Sequence, residues 1–376
     1  MQSNKLRMAI RATAATAVMG VASQAGAVSL NVGDDVDASL YGYARLNMSY
    51  DIDADRAVST RAGTFAPNNE DVTGHFGADV QQSRLGVKVT HASGVMVNVE
   101  GDFRGTGNGA GSLRMRHAYG TYAGILAGRT WSNTISFSAF TPTLDFDGIA
   151  GSFGSWDRTE QVRYTTGPMS FSIEDPSSQA VLDGVPTRTS APALTARLED
   201  STDAVSYAAS AVASQITADD GTQDDSAIGY AVSGGAKLKL TDMFSVQGSV
   251  TYTDGANGYL WRSGSNYYGP SAYVEGNSLE TIAGYGGNIG VSMAMGGGRS
   301  INVAYGMTTL DLDDAIAAGA TTNADPETNQ NMFVNYMWTP VESVMMGVEY
   351  AYFDQETVAG DSVDANRLMF AAQYNF

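Results

Sequence analysis

Eight basic side chains stand at spacings that could bring them to one surface: Arg45, Arg84, Lys88, Arg104, Arg114, Arg116, Arg129 and Arg163. Guanidinium keeps its charge at any workable pH. Its planar fork takes a carboxylate through two parallel hydrogen bonds. Rings of Arg or Lys are the usual device of anion-conducting pores. The chemistry on offer is therefore attraction and passage of anions.

Other chemistries find little support. His75, His91 and His117 lie far apart, without the spacing of metal ligands, so no metal is expected. The run Gly105–Gly111 has the glycines of a phosphate cradle. It lacks the following Lys and the helix that would hold the anion, and reads as a hairpin loop. No Ser motif points to His117, so no nucleophilic catalyst is expected. The reading is a protein that is not an enzyme and needs no cofactor.

The elements that must position the basic residues are strands. Most of the chain alternates with period 2 between apolar or aromatic and polar residues, and turn residues interrupt the pattern. That is the signature of a membrane barrel, apolar toward lipid and polar toward the lumen. Leu85, Val87 and Val89 face out against Arg84, Lys88 and Thr90. Val97, Val99 and Phe103 face out against Asn98, Glu100, Asp102 and Arg104.

Strands are expected near 38–50, 79–90, 94–104, 113–122, 124–131, 160–167, 169–175, 192–199, 203–213, 226–240, 243–254, 279–293, 299–310, 329–338, 343–353 and 365–376. They make an all-β, antiparallel transmembrane barrel of about 16 strands, an even number as such barrels require. Short and long connections alternate, as for periplasmic turns and outer loops. On this pattern all eight basic residues fall on the inward face. The outward face is also the costly one, since Arg facing lipid at mid-membrane costs ~2–4 kcal/mol. Trp338 and Tyr352 read as interfacial girdle. A soluble sandwich could alternate similarly, but the termini argue against it.

Residues 1–27 read as a cleaved secretory signal: Lys5, Arg7 and Arg11, an apolar run from Ala12 to Val21, then Ala25-Gly26-Ala27. A short segment, 28–37, would precede the barrel at 38–376. Removing the signal leaves 18 basic residues against 40 acidic ones, a net charge of −22. That excludes a nucleic-acid partner, whose phosphates demand the opposite sign. Much of the acid sits in loops, including Asp51, Asp53, Asp55, Asp219, Asp220, Asp224, Asp225, Asp311, Asp313 and Asp314. It reads as a solvated surface. Cys is 0, so no disulfides contribute. At the other end, Leu368, Phe370, Ala372, Tyr374 and Phe376 share one face, and Tyr374 with Phe376 reads as a barrel-assembly signal.

One connection differs from the rest. Residues 132–159, the third outer loop, are rich in Phe and Gly and carry Asp145 and Asp147. Their apolar groups need burial, which folding into the lumen would supply. Asp145 and Asp147 would then oppose the basic wall and set a transverse field.

A specific order of residues runs through this half: Phe103-Arg104-Gly105, Leu113-Arg114-Met115-Arg116-His117-Ala118-Tyr119, Gly128-Arg129-Thr130-Trp131-Ser132-Asn133, Asp145-Phe146 and Gln161-Val162-Arg163-Tyr164. It resembles the DcaP-like outer-membrane porins over roughly residues 38–165. The resemblance implies a homotrimer of sixteen-stranded barrels in the Gram-negative outer membrane, with the third loop inside each pore. It implies passive uptake of small anions, dicarboxylates above all. Lipopolysaccharide and the outer-membrane assembly machinery would be the other partners. Some members carry a coiled-coil extension ahead of the barrel, for which 28–37 leaves no room. Two other readings stay open, a weakly selective general porin and a structural or adhesive barrel with a plugged lumen.

Overall fold

A computed structural model describes residues 27–31, 33–54, 65, 73–105, 111–177, 179–219, 221, 224–265 and 267–376. The expected signal, save Ala27, lies outside the described residues. So do residues 106–110 of the Gly-rich run, Asp55 and Asp220.

Period-2 alternation yields strands almost everywhere it occurs. In chain order they are β1 (Val28–Asn31), β2 (Val36–Asp51), β3 (His75–Asp79), β4 (Arg84–His91), β5 (Met96–Gly105), β6 (Ser112–Tyr122), β7 (Ile125–Trp131), β8 (Arg158–Thr166) and β9 (Met169–Glu174). There follow β10 (Ala180–Val181), β11 (Thr187–Arg188), β12 (Ala193–Ser201), β13 (Val205–Asp219), β14 (Asp224–Lys239), β15 (Phe244–Asp254), β16 (Pro270–Glu275) and β17 (Ser278–Thr281). The last are β18 (Ala283–Gly296), β19 (Arg299–Leu310), β20 (Pro326–Val341), β21 (Val344–Thr357) and β22 (Ser362–Asn375).

The wall strands pair antiparallel with their sequence neighbours, and β2 closes the ring against β22. β3 and β4 share one position, and β1 and β11 are short additions, which leaves a closed barrel of sixteen strands. Closure matters because an open edge in lipid would leave backbone groups without partners. β10, β16 and β17 form a separate small sheet within the loops.

Two local features depart from the expectation. Residues 28–37 do not merely lead into the barrel: β1 folds back so that Val28 lies opposite Leu40. β22 pairs with β2 only from Tyr43 to Asp51, so β1 covers backbone groups of β2 that β22 does not reach. The second wall strand is broken. β3 pairs with Asn47–Asp51, β4 pairs with Val36–Tyr43, and Ser83 Oγ accepts the Arg45 N–H at 3.0 Å across the gap.

The pleat sorts the side chains as the pattern requires. Leu113 is 72% exposed and Val250 67%, on the outer face, while Asn98, Glu100 and Asp102 are buried on the inner one. The short turns use the backbone conformations their tightness demands: Ala123 and Gly124 have φ of 49° and 85° between β6 and β7.

Phe376 completes the seam. Its N–H donates to the Gly42 carbonyl at 3.1 Å and its carbonyl accepts from the Gly42 N–H at 3.1 Å. A Cβ at Gly42 would stand 2.2 Å from the Arg84 carbonyl oxygen and 2.9 Å from the Phe376 ring. Gly42→Val is therefore expected to block closure. The check is the heat-modifiable folded band on unboiled gels, which should vanish. A wild-type band would show that the seam tolerates displacement.

Candidate anion passage

The inner face of β4, β5 and β6 carries a ladder of charges. Arg84 Nε lies 3.2 Å from Glu100 Oε1, and Arg116 Nε lies 2.8 Å from the same oxygen. Arg116 Nη1 reaches Asp102 at 2.9 Å. Arg114 grips Asp102 with its fork, at 2.9 and 2.7 Å. Three guanidiniums thus share two carboxylates, which leaves a positive surplus. Arg104 lies 3.6 Å from Asp79 and stacks over Phe146, 4.9 Å from its ring centre.

A β-bulge builds this ladder. Glu100 lies opposite His117 while Gly101 lies opposite Met115, so Arg116 is the extra residue. Arg116 and His117 are consecutive, yet both are buried. Bulges re-aim side chains in this way beside functional sites. His117 Nδ1 is 2.9 Å from Thr130 Oγ1, which fixes the ring.

The other expected residues divide. Arg45 is buried and donates to Asn47, Gln373 and the Leu144 carbonyl at 2.7, 3.3 and 3.0 Å. Arg163 donates to Gln161 and the Trp131 carbonyl at 2.8 and 2.5 Å. Lys88 is half-buried opposite Asn98. None of the three has an ion pair among the described residues.

Arg129 is a correction. Its register partners are Ala118 and Glu160, and Glu160 shares a face with Val162 and Ile173, which are exposed. Gln161, Arg163 and Glu174 hold the opposite, inner face. Arg129 therefore points outward, paired with Glu160 at 2.8 Å. In β7 apolar residues occupy both parities, Ile125 and Ala127 against Leu126, so alternation alone could not orient it.

Asp145 and Asp147 are not open to solvent either: both are buried. Asp145 Oδ1 accepts the N–H of Asp147 and of Gly148 at 2.8 and 3.1 Å, a local turn. Asp147 Oδ2 lies 4.0 Å from Arg262 Nη1. Burial, with Asp147 beside it, pushes the Asp145 carboxyl up to about 6.

Three wall carboxylates hold the loop that carries these acids. Glu174 accepts from Ser132 Oγ and the Asn133 N–H at 2.7 and 2.6 Å. Glu199 accepts from Ser136 and Ser138 at 2.8 and 2.6 Å. Glu349 accepts the N–H groups of Leu144 and Asp145 at 2.7 and 2.8 Å. Asn331 and Asn335 add bonds to Ala150 and Pro142. The loop's Ile135, Leu144, Ile149 and Phe153 are buried.

Four further cations went unread in the sequence. Arg158 stacks on Trp131, Arg197 meets Glu199 at 3.3 Å, Arg262 stands over Phe65, and Arg367 pairs with Asp51 at 2.5 Å. Arg158 could have been found by its place at the start of β8; Arg262 lies in a loop, where alternation says nothing.

A closed barrel with a charged inner face and an apolar outer one defines an outer-membrane channel protein. The family model described as DcaP outer membrane protein matches residues 23–376, and the chain belongs to that family. Its fold matches the outer membrane channel DcaP of Acinetobacter baumannii with a TM-score of 0.82 at 27% identity, over 93% of this chain and 100% of that one. An anion-selective porin from Comamonas acidovorans matches at TM-score 0.59 and 14% identity, over 91% and 100%. OmpT of Vibrio cholerae matches at 0.56 and 11%, over 92% and 99%. No curated protein sequence matches the chain. The chain is thus an outer-membrane porin of the Gram-negative type.

Proposed function

We propose that the porin passes small anions by diffusion, with dicarboxylates as the favoured solutes, through a constriction lined by basic residues. One observation carries the reading. On the inner face, Arg84, Arg114 and Arg116 outnumber Glu100 and Asp102, and Arg45, Lys88 and Arg163 have no acid partner among the described residues. The inner face of β4, β5 and β6 thus carries a positive surplus, while the chain as a whole is strongly acidic. Lining charge sets ion preference at close range.

The loop at 132–157 narrows the lumen in this reading. Its support is the set of bonds to inward side chains of β9, β12, β20 and β21. The named selectivity of the Comamonas acidovorans porin, and the resemblance drawn from residues 38–165, favour anions over an unselective pore. A homotrimer fits as well. The outward Arg129–Glu160 pair would be expensive against lipid and cheap inside a contact between protomers. A cleaved signal over 1–27, lipopolysaccharide around the outer loops and the assembly machinery acting on Phe376 complete the picture.

The test is reversal potential across a planar bilayer under a KCl gradient. The intact pore should prefer chloride, and Arg114→Ala with Arg116→Ala should shift the potential toward cations. Preference for potassium in the intact pore would overturn the anion reading. Anion preference unmoved by both changes would remove these residues from it.

A further inference from the structure

Arg158 opens β8 directly opposite Trp131. Its guanidinium carbon stands 3.5 Å from the centre of a Trp131 ring, in face-on contact. Nε and Nη2 are shut off from solvent and have no hydrogen-bond partner. No carboxylate lies within ion-pair distance of it among the described residues. The neighbouring Asp157 accepts from Ser177 Oγ at 3.0 Å instead. Arg116, Arg84 and Arg114 are close enough to repel Arg158, and Glu100 alone among the acids of the ladder draws on it from a distance.

A desolvated cation facing other cations, with no acid in ion-pair contact among the described residues, is costly to keep. Something negative must offset it. The idle nitrogens are informative here. Nε and Nη2 lie on one edge of the guanidinium and match the two oxygens of a carboxylate. Trp131 fixes the plane of that fork by cation–π contact.

We propose that Arg158 is an anion-binding station, at which the fork edge grips one carboxylate of a small solute while Trp131 holds the guanidinium flat. This rests on the anion-passage reading and adds to it the residue at which a solute pauses. Because the fork is screened from bulk water, each charge-assisted bond made there is strengthened.

Sodium succinate is the probe. In bilayers it should block the chloride current of the full-length porin at a definite half-blocking concentration. Arg158→Gln should raise that concentration about tenfold, and Arg158→Lys by a similar factor, since Lys keeps the charge and loses the fork. Half-block within about twofold of wild type in Arg158→Gln would overturn the station, even in an anion-preferring pore. A cation-preferring intact pore would instead overturn the underlying reading. Should Arg158→Gln fail to insert, succinate titration of Trp fluorescence in the unsubstituted protein decides: a saturable change supports the station, and a flat titration sinks it.

Discussion

Glu349→Leu is expected to loosen the loop at 132–157 and raise single-channel conductance severalfold. Glu349 is buried in β21 and accepts the backbone N–H groups of Leu144 and Asp145, with Asn335 Nδ2 as a third donor at 2.9 Å. Leu has a similar volume and no acceptor. Two buried N–H groups would lose their partners, at ~1–3 kcal/mol each. Arg45 on the Leu144 carbonyl, Trp261 on the Asp147 carbonyl, and Asn331 and Asn335 then hold this part of the loop without it. Noisy, enlarged currents and new protease cuts between Phe140 and Phe153 should follow. Glu349→Gln keeps an acceptor oxygen and should fall between. Unchanged conductance in Glu349→Leu would mean that the loop does not limit the passage.

Asp102→Ala should destabilise the barrel more than any other single change in the ladder. Asp102 is fully buried and takes four bonds: two from Arg114, one from Arg116 and one from the Arg104 N–H at 3.2 Å. Removing one partner of a buried pair leaves an uncompensated charge, which costs ~3–5 kcal/mol. Arg114 is 30% exposed along its side chain and can turn to water, so the lower part of that range applies. Arg116 cannot, being 3% exposed. The temperature at which the folded band unfolds should drop by several degrees. The pores that do assemble should prefer anions more strongly than wild type, because one negative charge has left the wall. An unfolding temperature equal to wild type would show that the ladder tolerates a missing acid.

The barrel was legible because lipid and lumen impose opposite preferences on alternate residues. Each of the sixteen strands read from that pattern has its counterpart in the wall. The break between β3 and β4 was not legible, since Gln81, Gln82 and Ser83 interrupt no apolar run long enough to notice. β1 escaped because four residues, Val28 to Asn31, are too few to establish a period.

The site was legible in part, and the losses have physical causes. Alternation supplies a direction, never a partner. It placed Arg114 and Arg116 inward, but could not say that Glu100 and Asp102 would engage them. It could not foresee the bulge that turns both Arg116 and His117 to one side. It failed for Arg129, where apolar residues on both parities leave the face undecided. It was silent on Asp145 and Asp147, whose turn is made by the Asp145 carboxylate on the backbone N–H groups that follow it. The carboxylates that hold the loop look in the sequence like any inward acid.

The separation between the ends of one of those bonds has a bearing on how the molecule is made. Glu349 and Leu144 stand 205 residues apart in the chain. Glu174 and Glu199 can seize the near end of the loop from close by, whereas the N–H groups of Leu144 and Asp145 wait for Glu349 on the penultimate strand. Contacts between distant parts of a chain form late, because their closure entropy must be met first. On the proposed narrowing, a half-built molecule would leak more than a finished one until Glu349 takes up Leu144 and Asp145.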